Sequence, residues 1–389
     1  MSNAISLKRF SSLLRSKKVE SKQDWARFID LPWQIYGNEP NWVPPLRIAI
    51  RDALDPKKNP FFKHARMLPL IVEKDGKIVG RIVGVIDDVH NKFHEEKTVM
   101  FGYYEAMQDP EVTKLLLDEV VKWGKSEGMT TLRGPINLST NNEAGLLVEG
   151  FDKTPMVMMT YNPGYYMSLL DGYGLQKAKD LFAYQLSTET KFSEAIYRQA
   201  ARLQKNAKVT FRSVNMKKFK EEVASIQEIY NDAWERNWGF VPMSTEEFDH
   251  MAKDLKAIVD PELILMADLD GKPVGFSVTL PDVNQALMKV KDGKLLPTGL
   301  IKLLWHMKGP FKRKTITQTR VVILGIKKAH QELGLGPLFY VESSRRAKAG
   351  GYLGGEASWV LEDNIPMNRA LQRMCGERTK VYRIYEKAI

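Results

Sequence analysis

The chain has 389 residues, 43% of them hydrophobic and 27% charged, the composition of an ordinary soluble globular protein with room for two domains of similar size. No apolar run approaches the roughly 18 residues of a membrane span, and no hydrophobic stretch with a small-residue cleavage site follows the basic N-terminus. The single cysteine, Cys375, leaves neither an internal disulfide nor a metal cluster, so a reducing cytoplasm is the expected compartment and no metal is expected. A net charge of +11 asks for an anionic partner without choosing among nucleic acid, anionic lipid and a phosphate-bearing cosubstrate.

Taken along the chain, residues 1–22 form a basic arm: Lys8, Arg9, Arg15, Lys17, Lys18 and Lys22 face only Glu20, and a loosely ordered segment is expected, either solvated or functional. A Trp-bearing helical stretch follows from Trp25 to Tyr36, then a hairpin around Asp75-Gly76 and a central strand near Val99 to Tyr104. Asp109 caps a helix with Pro110 and Glu111 in its first turn, running through Leu116, Val120 and Trp123 to Gly128. The Asn-rich stretch Asn137 to Glu143 is too polar for a core and is expected to face a cleft, and Asn162 to Tyr166 either does the same or simply turns. After Gly174 comes a final strand to Tyr184, and the domain boundary falls near Ser187 to Thr190, giving a first half of 23–189 and a second of 190–389.

The second half repeats the first. A charged helical link, Phe192 to Lys205, leads to a strand at Lys208 to Val214 and a helical stretch at Phe219 to Trp234. The hairpin motif D-G-K-x-V-G recurs at Asp270-Gly271, and Gly376 precedes a final strand as Gly174 does, three matches in order at nearly one spacing. Each half therefore reads as an α/β domain with a mixed sheet. Between the second hairpin and its central strand, Leu295 to Lys308 forms an insertion with an apolar face ending in Trp305, followed by Lys312, Arg313 and Lys314; it either rests on an anionic membrane, admits an acyl chain or packs on the domain.

Thr319 to Ile326 is a β-branched run of strand type, and Gln331-Glu332-Leu333-Gly334-Leu335-Gly336 joins it to a helix expected from Pro337 to Ala349. Glycines there let successive N–H groups converge at a helix start, where the dipole favours an anion, so the loop reads as a backbone cradle for a pyrophosphate and points to an acyl-CoA site. The plainer alternative is a glycine-rich turn into a helix. The loop lacks the dinucleotide fingerprint, because Phe339 holds the third glycine position, and the chain carries no P-loop, H-E-x-x-H or G-x-S-x-G motif.

With these features the chain resembles the GNAT acyltransferase superfamily, and more closely its tandem-domain YghO-like bacterial group. The resemblance covers nearly the whole chain and implies two tandem GNAT-like acyl-CoA N-acyltransferase domains, each a mixed, mostly antiparallel sheet flanked by helices. Gln331, Gly334 and Gly336 match its [QR]-x-x-G-x-[GA] element. The resemblance implies an acyl-CoA cosubstrate held by Leu324, Gly325, Ile326, Gln331, Leu333, Gly334, Leu335, Gly336 and Asn364, with pantetheine in the gap between two splayed strands. Two departures stand out. Where the first half needs a glycine loop it reads Glu105-Ala-Met-Gln-Asp109, so a single CoA site and a pseudo-domain are expected; and Gln372 stands where relatives place a tyrosine acid.

Acyl transfer from a thioester to an amine needs positioning, a base and oxyanion donors. Glu356 and Glu362, at the two ends of one predicted strand and on one face of it, are the candidate bases, Glu356 foremost, with exposed or salt-bridged carboxylates as the alternative. Gln372 leaves the general acid unassigned; Tyr340, Tyr382 and Tyr385 are candidates, Tyr382 foremost, and such a tyrosine is more often a packing aromatic than a catalyst. Trp234, Asn237, Trp238 and Phe240 are expected to line the acceptor pocket or else to anchor the interdomain core. The expected function is acyl-CoA-dependent N-acylation of a small-molecule or lipid amine such as a sphingoid base. The alternative is an inactive GNAT-fold lipid or metabolite binder. Nucleic-acid binding is disfavoured, since aromatic and basic residues are not interleaved.

Overall fold

The structure is a computed structural model describing residues 14–37, 39–205, 208–235, 237–309, 315–374 and 376–389. Lys8 and Arg9 of the basic arm, Lys312, Arg313 and Lys314 of the insertion, and Cys375 lie outside the described residues. The rest of the arm differs from expectation. Leu14–Lys18 is strand β1, which pairs antiparallel with β2, so Arg15, Lys17 and Lys18 belong to the sheet rather than to a solvated tail.

In chain order the first half continues with α1 (Lys22–Tyr36), α2 (Arg47–Ala53), β2 (Ala65–Lys74), β3 (Lys77–Asp87), α3 (Asp88–His94), β4 (Thr98–Ala106), α4 (Pro110–Ser126), β5 (Thr131–Gly134), β6 (Leu146–Glu149), α5 (Tyr166–Gly172) and β7 (Gln176–Ser187). The second half comprises α6 (Glu194–Gln204), β8 (Val209–Ser213), α7 (Phe219–Trp234), α8 (Thr245–Leu255), β9 (Ile264–Leu269), β10 (Lys272–Pro281), α9 (Asn284–Leu287), α10 (Gly299–Met307), β11 (Gln318–Ile326), α11 (Leu335–Ala349), β12 (Gly354–Leu361), α12 (Ile365–Arg373) and β13 (Glu377–Ala388). Local chemistry accounts for the boundaries. Ser21 and Asp24 close a capping box on α1, as Ser244 and Glu247 do on α8. The two matched hairpins turn on Asp75-Gly76 and Asp270-Gly271, all four at positive φ, which an Asp-Gly pair tolerates and most residues do not.

The halves do not form separate sheets. The strands make one continuous path, β1-β2-β3-β4-β5-β13-β7-β12-β11-β10-β9-β8, with β6 pairing against β13. Among the described residues only β4–β5 and β11–β12 are parallel, so the sheet is mostly antiparallel. Each half's last strand is exchanged: β13 inserts beside β5 of the first half, and β7 beside β12 of the second. Helices cover both faces. In the second half, Val223, Ile226 and Ile229 of α7 and Phe248 of α8 pack with Met266 and Phe276 on one face. Leu335, Leu338 and Phe339 of α11 pack with Leu265 and Ala267 on the other, together with Ala200 and Leu203 of α6. Among the described residues no helix is long and apolar enough to cross a membrane.

Candidate active site

Strands β11 and β12 are paired only from Gln318 to Val321 and from Gly354 to Ala357. Beyond that point both continue but part, β11 staying with β10 as far as Ile326 and β12 with β7 as far as Leu361. The wedge opens a cleft of about 590 Å³. Its walls are the freed stretch of β11, the stretch Ala357 to Leu361 of β12, the cleft side of α11 and the start of α12. Alternate residues along an unpaired strand edge present N–H and C=O groups outward, so this part of β11 offers main-chain partners to a ligand.

Gln318 to Ile326 forms a strand as expected, but the glycine loop is built differently from expectation. Lys328–Leu333 is a 3-10 turn, and α11 starts at Leu335, two residues before Pro337. The two glycines have separate reasons. Gly334 caps the helix at φ 71°, a left-handed conformation that costs other residues about 1–2 kcal/mol. Gly336 has no such φ; a Cβ there would meet nothing nearer than the Tyr340 hydroxyl at 3.8 Å. It therefore keeps space open on the cleft wall at the first turn of α11, where helix N–H groups have no intrahelical partner.

Of the residues expected to hold the cosubstrate, Leu324, Gly325, Ile326, Gln331, Gly336 and Asn364 all line this cleft. Leu333, Gly334 and Leu335 do not: Leu335 is buried beneath α11, Leu333 is exposed, and Gly334 carries the turn. Asn364 has a structural task as well, its side chain accepting from Met367 N–H to cap α12. Gly325 is a close approach, since a Cβ there would land on the Trp234 indole.

Trp234, Asn237, Trp238 and Phe240 line the same cleft. Both readings of these aromatics hold at once, because Phe240 and Trp234 belong to the core under α7, and Trp238 packs on the core of the first half with Arg133 and Lys179 over its ring. The Asn-rich loop reaches the site too. Thr140 and Asn141 line the cleft; the Thr140 hydroxyl donates to Gly239 O, Asn141 donates to Val241 O at 3.2 Å, and Tyr230 donates to Asn141 at 2.6 Å.

The first half has the same parting of strands, and its own chain fills it. β4 and β5 are paired only from Thr98 to Met100. Ile136 N–H then donates to Phe101 O at 2.7 Å, Tyr103 N–H donates to Asn137 at 2.7 Å, and a Cβ on Gly102 would strike the Ile136 backbone. Downstream, Asp109 caps α4 by accepting from Glu111 N–H at 3.0 Å, an ordinary helix start.

Comparison with known proteins follows from this architecture. No family model matches the chain. It is 38% identical over 376 residues to a Caulobacter vibrioides protein named bacterial ceramide synthase, covering 95% of this chain and 96% of the relative. It is 36% identical over an alignment of 394 residues to protein YghO of Escherichia coli, covering 100% and 98%. The chain belongs to this YghO-like family. Its fold is that of a tandem GNAT protein from the clavulanic acid biosynthesis pathway, at TM-score 0.57 with 97% of this chain and 98% of the other covered, at 10% identity. A GCN5-related N-acetyltransferase from Sphaerobacter thermophilus gives TM-score 0.53 at 13% identity, with 96% and 95% covered. At these identities the two structures bear on fold alone.

Within this GNAT framework neither Glu356 nor Tyr382 lines the cleft. Glu356 is fully buried, does not line the cleft, and pairs with Lys380 at 2.6 Å. The register slips between Ala357 and Val360, breaking the alternation that would have put Glu356 and Glu362 on one face. Glu362 instead accepts from Lys177 at 2.6 Å and Asp180 N–H at 3.0 Å. Tyr382 is buried in the core of the first half, and burial, with Glu356 nearby, holds its hydroxyl well above the usual range. Tyr385 is likewise buried away from the cleft. Tyr340, one turn after Gly336, does line it, and burial pushes its phenol up to about 12, so it is protonated at neutral pH.

Sequence reasoning missed Ser277 and Thr279 of β10, which face the cleft with buried hydroxyls that have no protein partner among the described residues. A signal existed. Polar residues at alternate positions of an otherwise apolar strand, Phe276-Ser-Val-Thr-Leu280, mark a face that meets something other than core.

Proposed function

We propose that this protein transfers an acyl group from a CoA thioester to the amine of a long-chain base, a sphingoid base being the type of acceptor. The observation that carries the reading is the wedge between β11 and β12, with Gly336 holding open its wall at the start of α11. A diphosphate fits the residues present: unpaired first-turn N–H groups and the helix dipole favour an anion, and the glycine leaves it space. The pantetheine would run along the freed edge of β11, whose main-chain N–H groups would polarise the thioester carbonyl. The name of the Caulobacter relative supports a lipid amine as acceptor. So does the aromatic and amide wall of Trp234, Asn237, Trp238 and Phe240, which suits an apolar ligand with a polar head. The first half supplies Thr140 and Asn141 to that wall and binds no second cosubstrate.

Among the described residues no carboxylate or imidazole lines the cleft. The amine therefore attacks in its neutral form, giving up its proton to water beforehand. The Tyr340 phenol gives its proton to the departing thiolate as the C–S bond breaks, and the second amine proton, released as the C–N bond becomes an amide, restores the phenol; the Ser277 and Thr279 hydroxyls bind the polar head of the acceptor. Thiol release from palmitoyl-CoA in the presence of sphinganine tests the whole reading, and an inactive lipid binder would release none. Tyr340→Phe is expected to lower kcat about a hundredfold with KM little changed; an unchanged kcat would remove the tyrosine from the reaction.

Lipid substrates also give α10 a role. Leu296, Ile301, Leu304 and Trp305 are each about half exposed or more, with Lys294, Lys302 and Lys308 exposed beside them. The protein would rest this face on an anionic bilayer. Sedimentation with phosphatidylglycerol vesicles is expected to fall at least fivefold in Ile301→Glu; equal sedimentation of the variant would refute the contact.

A further inference from the structure

Behind the cleft, between α7, α8 and the sheet, lies a second chamber of about 220 Å³. It and the cleft share Thr140, Asn141, Tyr230, Trp234, Val322, Ile323 and Trp359, so the two meet where β11 and β12 part, beside the Asn-rich loop. They also lie on opposite faces of the sheet. On β10, Ser277 and Thr279 face the cleft, while Phe276 and Val278 face the chamber. From Trp234 the chamber follows one stripe of α7 through Tyr230, Ile226, Val223 and Phe219, the spacing of a single helix face. At about 1.5 Å per residue that stripe is roughly 22 Å long.

Apart from Thr140, Asn141 and Asn142 of the Asn-rich loop and two charged residues, the chamber wall is lined by apolar and aromatic side chains. Of the charged side chains that reach it, Arg320 is committed, donating to Ser358 and to the Val157 and Met158 carbonyls, and Lys256 is exposed at the distal end with its ammonium over the Phe219 ring. Met158, Met216, Met243 and Met251 contribute to the wall, and unbranched thioether side chains adapt to ligands of variable shape. Protein cores are packed closely enough that voids larger than a water molecule are few. At about 220 Å³ this one is far above that size.

We propose that this chamber is the seat of an unbranched alkyl chain, which enters from the cleft at Trp234 and extends along α7 toward Phe219. The assignment of its source rests on the acyltransferase reading: the chain is either the acyl chain of the donor or the tail of the amine. A chain bound here would leave its reacting head at the parting of the strands, beside the freed edge of β11. The depth of the chamber then sets which chain lengths are accepted.

The test narrows the chamber midway with Ile226→Trp, and, should that variant fail to fold, with Met251→Phe, which puts a slightly larger and rigid ring in place of a flexible side chain. Turnover is measured over a series of acyl-CoA lengths with one amine, and over a series of amine lengths with one acyl-CoA. A narrowed chamber is expected to move one optimum shorter by several carbons while the affinity for free CoA is unchanged; a shift in the donor series identifies the acyl chain, and one in the acceptor series the amine tail. Neither series shifting, with CoA affinity retained, would overturn the proposal. Should the protein prove to have no transferase activity, cis-parinaric acid fluorescence still reads the chamber. At least tenfold weaker probe binding in the variant supports it, and equal binding sinks it.

Discussion

Gly336→Trp is expected to abolish CoA binding at the concentrations that saturate the native protein, a loss of about a hundredfold or more in affinity, while leaving the fold intact. The indole would occupy the cleft wall beside Tyr340, where a Cβ now has open space. Excluding a diphosphate from helix N–H groups forfeits at least two charge-assisted hydrogen bonds at about 1.5–3 kcal/mol each, and each 1.4 kcal/mol is about tenfold. Stability should not fall, because position 336 lies in the first turn of α11 at an ordinary φ, and glycine is the poorer helix former there by up to about 1 kcal/mol. Isothermal titration with CoA, alongside thermal unfolding, checks both halves of the expectation. Gly334→Ala should behave in the opposite way, losing about 1–2 kcal/mol of stability at a left-handed residue that does not line the cleft. If Gly336→Trp binds CoA normally, the wedge between β11 and β12 is not the cosubstrate site.

The second large effect concerns the Glu356–Lys380 pair. Glu356 lies on β12 and Lys380 on β13, and β7 of the other half runs between them. Lys380 is registered opposite the buried Ala183 of β7, so the long ammonium arm reaches over a small residue to the carboxylate. Arg320 stands near the same carboxylate, and burial pushes the neighbouring Asp282 carboxyl up to about 7. Lys380→Met leaves a buried carboxylate without its partner and is expected to cost about 3–5 kcal/mol in urea unfolding. Glu356→Met combined with Lys380→Met removes both charges and should recover most of that loss. The double variant should also retain turnover, since neither residue lines the cleft. A double variant that is stable but inactive would restore Glu356 as a base and require it to reach the ligand by a rearranged β12.

Where local chemistry is decisive, parts of the fold around the candidate site were legible in the sequence. The strand at Thr319 to Ile326, the capped helix at Asp109 and the repeated Asp-Gly hairpins all depend on residues near one another in the chain, and all appear close to where they were expected. The aromatic residues from Trp234 to Phe240 were legible for the same reason. A cluster of rings with amides in a connection is unusual wherever the fold places it, and it does line the cleft.

Catalytic assignments fared differently because they depend on facing. Glu356 and Glu362 would share a face only under regular alternation, and one slip of register between Ala357 and Val360 removes it. The distinction between Gly334 and Gly336 is of the same kind, since identical residues two positions apart serve a backbone angle in one case and an empty volume in the other. Periodicity and turn chemistry are properties of neighbouring residues, so the amino-acid order was enough to specify these strands and helices, the doubling of the unit and its family resemblance, but not the strand at Leu14–Lys18, which exists only because it pairs with β2. The exchange of β7 and β13 between halves, the plugging of the first wedge by Ile136 and Asn137, and the chamber under α7 arise from contacts between residues far apart in the chain. Such contacts are selected by how whole surfaces pack, a global competition that no short stretch of residues encodes.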